Sequence, residues 1–268
     1  MIKMILSDMD GTLLDNDGKM PPDFDEVMAM LKERGVLFVP ASGRQYTAIV
    51  NQMPKYKDDF VFIAENGGVA VYKGQSLVSS PIDKESIRHL IEKTDSPEIF
   101  PVLCGKDCSY VEKKWEPYLS ELEKFLTHYH IVDNLLEILE HKDIIKIAFG
   151  DCLHAQAEER LFPMLMAAAD PGLKVILSSN YWIDVLNEGI NKGSVLKGLQ
   201  QKLGISADEC AAFGDYLNDI EMLKAVKYGY AMANAHPEVI TSVNLFAPAN
   251  NKNGVMRTIR SFAEKGLI

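Results

Sequence analysis

The chain has 268 residues, 47% of them apolar and 25% charged, with a formal net charge of -10 and a pI near 5.1. This is the balance of a globular protein. It excludes the basic face that nucleic acid or an anionic membrane requires, though not an anionic small molecule held by local charge. No stretch approaches the roughly 18 consecutive apolar residues of a membrane span, and the length admits two cores of the usual size of about 100–150 residues.

In chain order, "MIKMILSDMD" reads as a short apolar strand running into Asp8 and Asp10. "DFDEVMAMLKERG" follows as a helix, with Val27, Met28 and Leu31 at helical spacing and Gly35 as its stop. "VLFVPAS" is a second strand, "RQYTAIVNQM" a second helix and "DFVFIAENGG" a third strand. This alternation predicts a parallel sheet covered by helices. "VAVYKGQSLVSS" then reads as a hairpin turning at Lys-Gly-Gln.

From Pro81 the rhythm changes. A helix over "DKESIRHLIEKT" precedes strands at "IFPVLCG" and "CSYVEK". A helix is expected over "EPYLSELEKFLTHY", a strand over "DIIKIAFGD", and a helix interrupted by Pro163 over "HAQAEERLFPMLMAAA". "LKVILSS" and "YWIDVLN" look like a strand pair. Alternation returns with helix "SVLKGLQQKLG", strand "CAAFGD", helix "DIEMLKAV", strands "YGYAM" and "VNLFA" and a last helix "GVMRTIRSFAEK". The expectation is an α/β domain, residues 1–81 and 188–268, interrupted by an inserted α+β domain, residues 82–187.

The four cysteines, Cys104, Cys108, Cys152 and Cys210, are scattered, and no Asn-x-Ser/Thr sequon occurs. The opening "MIKMILSDMDG" has no apolar run of signal length. These features predict a reducing, cytoplasmic setting. Cys104 and Cys108 lack a second Cys/His pair at zinc spacing, and "DMDGTLLDNDGK" fails as a calcium loop because Gly is not sixth nor Glu twelfth.

Ligands of open α/β sheets bind beyond the carboxyl ends of the strands, and the polar clusters lie there. They are Asp8-Met9-Asp10-Gly11-Thr12, Ser42-Gly43-Arg44, Glu65-Asn66-Gly67-Gly68 and Gly214-Asp215 with Asn218 and Asp219. Lys192 stands at a helix start, where free N–H groups favour anions. Taken singly, such pieces are more often a solvated turn, a helix cap or an exposed lysine than a site. Taken together, they concentrate carboxylates. Two unit charges about 4 Å apart repel by roughly 4 kcal/mol at an effective dielectric near 20, and a fold stable by about 5–15 kcal/mol cannot leave several such terms uncompensated. A hard divalent cation with oxygen ligands resolves the repulsion, and Mg²⁺ suits a site shared with phosphate and water.

In this order the motifs resemble those of the haloacid dehalogenase superfamily of aspartate-nucleophile phosphatases. Asp8-x-Asp10-Gly-Thr matches the first motif, Ser42 the second, Lys192 the third and Gly214-Asp215-x-x-Asn218-Asp219 the fourth. The position of the insert, with "ASGR", "ENGG", "NKG" and "AMANAHPEV", is similar to the Cof-type sugar-phosphatase branch with a large α/β cap. Asn191 departs from that branch's usual small polar residue, with no catalytic consequence expected. The resemblance implies a Rossmann-like core, a parallel sheet with helices on both faces, plus the α+β cap. It implies Asp8 as nucleophile and Asp10 as general acid and then base. Ser42, the Met9 and Gly43 amides, Lys192 and Asn218 would hold the phosphoryl oxygens. Mg²⁺ would be bound by the Asp8 and Asp215 carboxylates and the Asp10 carbonyl, with Asp219 supporting them.

Arg44 and Asn66 lie where they could meet substrate or cap, although Arg44 pairing with a structural carboxylate is an equal reading. Tyr181 and Trp182 suit either a leaving-group pocket or cap packing. The expected activity is Mg²⁺-dependent hydrolysis of a small phosphorylated metabolite, a sugar phosphate first, with a phosphorylated vitamin cofactor as the alternative. A non-catalytic sensor could dispense with Asp8 or Asp10, and both are present. A phosphomutase would usually carry a different cap, inserted earlier. No GxGxxG or GxxxxGK[ST] occurs to favour a nucleotide cofactor.

Overall fold

The computed structural model describes residues 1–106, 108–119, 128–151 and 154–268. In chain order the elements are β1 (Met4–Ser7), α1 (Phe24–Glu33), β2 (Leu37–Pro40), α2 (Tyr46–Gln52), β3 (Val61–Ala64), β4 (Val69–Tyr72) and β5 (Gln75–Ser79). They continue with α3 (Lys84–Lys93), β6 (Phe100–Gly105), β7 (Ser109–Glu112), β8 (Tyr129–Val132), α4 (Leu135–Ile138), β9 (Ile144–Gly150), α5 (Ala157–Ala168), β10 (Leu173–Leu177) and β11 (Trp182–Asn187). The last part holds α6 (Lys192–Leu203), β12 (Cys210–Gly214), α7 (Ile220–Lys224), β13 (Tyr228–Met232), α8 (Pro237–Ser242), β14 (Leu245–Ala247) and α9 (Gly254–Glu264).

The core is a parallel sheet in the order β14-β13-β12-β1-β2 with helices on both faces. Strands from both ends of the chain therefore lie side by side, and β1, flanked by β12 and β2, has all four of its residues buried. On α1, Phe24, Val27, Met28 and Leu31 are buried at i, i+3, i+4 and i+7. Burying such a stripe contributes about 1.5–3 kcal/mol per side chain. The Phe24 ring meets Phe38, Tyr56 and Phe60 edge-on.

The expected third parallel strand is only partly that. β3 belongs to a separate antiparallel sheet, β3-β4-β5, and touches β2 through one parallel bridge, Ala41 to Ile63. Pro40 explains the break. Ala41 N–H turns toward β1 and Ser42 N–H toward Ile63 O, so the missing N–H of Pro40 lies on the β3 side, where a ladder bond would be.

The inserted segment forms a mostly antiparallel sheet, β10-β11-β9-β6-β7-β8, in which, among the described residues, only β7 and β8 run parallel. One face buries Leu103, Ile147, Phe149, Ile183 and Val185 with α3 and α5 residues. The other carries Phe100, Val102, Cys104, Ala148 and Trp182. β8 stands where the sequence reading expected the end of a helix, and residues 120–127 of that expected helix lie outside the described residues, as does Cys152. α5 runs through Pro163 rather than breaking there, held by buried Ala157, Leu161, Leu165 and Ala168. The two crossings into and out of the insert are tied together, since Asn187 Nδ2 donates to Ser80 Oγ at 3.0 Å and Pro81 O at 2.9 Å. No helix among the described residues is long and apolar enough to cross a membrane.

Candidate active site

The site gathers at the carboxyl ends of β1, β2 and β12 and at the start of α6. After β1 the chain makes a wide turn, in which Leu13 N–H reaches Asp8 O at 3.2 Å and Leu14 N–H reaches Met9 O at 2.8 Å. Gly11 lies at φ +77, and a Cβ there would sit 2.3 Å from Asp215 Oδ2. Gly11→Ala should therefore cost about 1–3 kcal/mol of stability from its backbone conformation alone and displace the Asp215 carboxylate. Thermal melts paired with rate assays check this, and an alanine variant with unchanged stability and rate would refute it.

Lys192 is the first residue of α6. Asn191 caps the helix, with its Oδ1 accepting Ser194 N–H at 2.8 Å, while Ser194 Oγ accepts Asn191 N–H at 3.0 Å. A Cβ on Gly193 would lie 2.5 Å from the Glu221 backbone. Glycine there lets α6 close on α7 and brings Lys192 beside Asp219. The ammonium is fully buried, 2.6 Å from Asp8 Oδ1 and 2.7 Å from Asp219 Oδ1. Asp219 Oδ2 accepts the backbone N–H groups of Asp215 at 3.0 Å and Tyr216 at 3.1 Å. Asp215 Oδ1 accepts the Thr12 hydroxyl at 2.6 Å.

Asp8, Asp215 and Asp219 each offer a carboxylate oxygen within 4.8 Å of the others. Burial pushes the Asp8 carboxyl well above the usual range against the pull of Lys192, and Asp219 and Asp215 push the same way. Asp215 is raised to about 7 by burial and then by Asp219, with Thr12 opposing. Burial alone would lower the Lys192 ammonium, but Asp219 and Asp8 outweigh it and raise it. Lys192 thus answers part of the repulsion, yet among the described residues no cation lies within ion-pair distance of Asp215. An uncompensated carboxylate beside two others is a donor set for a hard divalent cation, so these residues fit Mg²⁺.

Asp10 points away from this cluster into the cleft. Its side chain is 49% exposed and is gripped on both oxygens by Arg44, itself 13% exposed. Arg44 therefore pairs with the candidate acid/base residue itself. Ser42 Oγ accepts Arg44 N–H at 3.1 Å. Asn66, at φ 54, accepts a hydrogen bond from Asn218 Nδ2 at 2.8 Å and donates to Ser178 Oγ, just past β10, at 2.9 Å and to Asp184 on β11.

The cleft above Asp8 and Asp10 includes Ser42, Gly43, Arg44 and Asn218 from the core and Trp182 from the insert. Met9 has its side chain buried in the core. Tyr181 is exposed, while Trp182 both lines the cleft and packs edge-on against Phe100.

Several cleft residues were passed over in the sequence. Gln45 donates to Ser109 Oγ at 2.7 Å and His128 O at 2.9 Å, and its Oε1 accepts His128 N–H at 3.2 Å, tying the loop after β2 to the insert. Lys146 and Asp184 are charged residues inside apolar strands, "IIKIAFG" and "WIDVLN". That is a readable signal, because a buried charge must be paired.

A family model described as haloacid dehalogenase-like hydrolase matches residues 5–259. The 5-amino-6-(5-phospho-D-ribitylamino)uracil phosphatase YbjI of Escherichia coli is 31% identical over 265 residues, covering 96% of this chain and 95% of that one. The crystal structure of SMU.1108c from Streptococcus mutans superposes with a TM-score of 0.89 at 29% identity, covering 98% and 100% of the two chains. BT4131, a solved sugar phosphatase of subclass IIB of the superfamily, shares the fold with a TM-score of 0.83 at 20% identity, over 99% of this chain and 100% of its own.

Proposed function

The chain belongs to the haloacid dehalogenase-like hydrolase family, as a phosphatase of its Cof-type branch, and we propose that it hydrolyses a small sugar phosphate with Mg²⁺ through a phosphoryl group carried on Asp8. The supporting observation is the Asp8 carboxylate at the floor of the cleft. Buried Lys192 fixes one of its oxygens, and Asp215 and Asp219 stand within metal-sharing distance. A carboxylate so held can attack phosphorus and split hydrolysis into two easier steps.

Asp10, on the cleft side, protonates the leaving oxygen and then takes a proton from the attacking water. Ser42, Lys192, Asn218 and the Met9 and Gly43 amides hold the phosphoryl oxygens, where charge spreads in the transition state. The Asp8 and Asp215 carboxylates and the Asp10 carbonyl would hold Mg²⁺, with Asp219 steadying them through Lys192 and the Asp215 amide. The ion supplies charge neutralisation for the phosphoryl oxygens. The inserted domain covers the strand ends and excludes water. Phosphate carried on a ribityl chain, as in the name of the Escherichia coli relative, favours a phosphorylated vitamin intermediate as the second reading.

A phosphate-release screen over phosphorylated sugars, vitamins and nucleotides, with and without Mg²⁺, tests this directly. Full activity after exhaustive chelation would remove the metal. The metal should also leave a thermal signature, since a ligand that binds only the folded state stabilises it. Asp215 in the metal-free fold titrates at about 7, above its ordinary value of 3.8. The proton therefore occupies the site below that pH and the ion above it. The rise in Tm on adding Mg²⁺ should be full above pH 7 and shrink as pH falls through 7. A Tm increment unchanged between pH 8 and pH 5 would contradict the assignment.

A further inference from the structure

Above Asp10, three ionic side chains meet between the two domains without touching the Asp8 cluster. Lys146 comes from β9, Asp184 from β11 and Glu65 from the loop after β3. All three are buried and line the cleft. Alternation along the inserted sheet puts Lys146 and Asp184 on the face that carries Cys104, Ala148 and Trp182, toward the core.

The Lys146 ammonium lies 2.6 Å from Glu65 Oε2, 2.7 Å from Gly43 O and 3.3 Å from Asp184 Oδ1. An ammonium has three protons, and three oxygens surround this one. Asn66 Nδ2 is committed to Ser178 and Asp184, and the Ser178 hydroxyl to Asp184 at 2.7 Å. The Lys146 charge is thus answered by two carboxylates, and the Asn66 amide and Ser178 hydroxyl are in use. The acceptors of the cluster are not exhausted, because each carboxylate offers about four acceptor positions. Glu65 Oε2, buried on a residue only 2% exposed, meets Lys146 as an ion pair but accepts no well-directed hydrogen bond. Two carboxylates against one ammonium leave a net negative charge facing the space beside the phosphate site, while Arg44 below is balanced by Asp10.

We propose that Glu65, Lys146 and Asp184 form the leaving-group subsite, and that it selects a leaving group rich in hydroxyl or amino donors and free of a second negative charge. This rests on the phosphatase reading of the Asp8 site. An uncharged polyol donates to the spare carboxylate positions, with its carbon chain beside Trp182, which lines the cleft. A carboxylate or second phosphate on the leaving group finds no free ammonium and meets like charge in a buried setting, where repulsion is weakly screened.

The test compares glucitol 6-phosphate with 6-phosphogluconate, which share a six-carbon chain and differ at its far end by a hydroxymethyl against a carboxylate. An aryl phosphate without hydroxyls serves as the third substrate. The wild-type protein should favour glucitol 6-phosphate in kcat/KM by about tenfold or more, which corresponds to about 1.4 kcal/mol. Asp184→Asn and Glu65→Gln should each narrow that ratio. An equal loss on both six-carbon substrates would mark the cluster as structural support and overturn the subsite. So would equal use of the two by the wild type, or turnover of the aryl phosphate with glucitol 6-phosphate ignored, both of which leave the phosphatase reading standing. Failure on all three substrates overturns the sugar-phosphate proposal and this one with it. The wild-type ratio decides the matter even where a variant fails to fold.

Discussion

Asp8→Ala should abolish turnover and leave the protein folded. The expected loss is on the order of 10⁴–10⁶-fold, the scale on which enzymes fall when their nucleophile is removed and only binding and electrostatics remain. The stability expectation comes from the partners of Asp8. Deleting one member of a buried ion pair usually costs about 3–5 kcal/mol, because the other charge is left alone. Here Lys192 keeps Asp219 at 2.7 Å, so its ammonium is not orphaned. Asp8 itself is a buried carboxyl pushed upward by burial and by Asp219 and Asp215. Removing it relieves two like-charge contacts. The melting temperature of the metal-free variant should stay within a few degrees of the wild type, or rise, while the stabilisation by Mg²⁺ is weakened. Trapping a phosphoryl group or a metal fluoride on any residue other than Asp8 would refute the assignment. A variant that loses activity only because it unfolds would show it in the melt.

The two parts of the chain were unequally legible in the sequence. The strand-end motifs could be read because each needs particular residue types close together in the chain. Asp8 to Thr12 is one turn, Ser42 to Arg44 another, and Asn218 with Asp219 opens a helix. The sequence also marked the return of alternation after the insert, so the core order of strands and helices followed. It did not show that Pro40 would loosen β3 from β2, since that depends on which side of the strand the missing N–H faces. β8 was unreadable as a strand because "YHIV" is only four residues long, lies at a sheet edge and buries none of them fully, so it shows no in-out alternation. The upper cleft was hidden for a different reason. Glu65, Lys146 and Asp184 are 81 and 38 residues apart in succession, and only the pairing of β9 with β11 and the fold of the insert onto the core bring them together. A lone lysine in "IIKIAFG" announces that a partner exists without saying where.

Asp10→Asn is the more discriminating variant. Its stability cost should be small. Asp10 is half-exposed and paired with Arg44, and pairs of that exposure contribute about 0–1 kcal/mol. Asparagine keeps the shape and one acceptor for Arg44, while the site loses a negative charge, so phosphate binding need not weaken. What it cannot do is donate a proton to the leaving oxygen or take one from water. General acid–base catalysis contributes about 10²–10⁴-fold, and the loss on a sugar phosphate should fall in that range, or exceed it if both half-reactions suffer. On an aryl phosphate the first step needs little protonation, so the loss there should shrink. If the second step then becomes limiting, a phosphoryl group should accumulate on Asp8 and be trapped on quenching. Single-turnover kinetics with one poor and one good leaving group separate these cases. A variant that slows neither step with either substrate would make Asp10 a residue that positions Arg44 and the metal, and the proton would have to be assigned elsewhere.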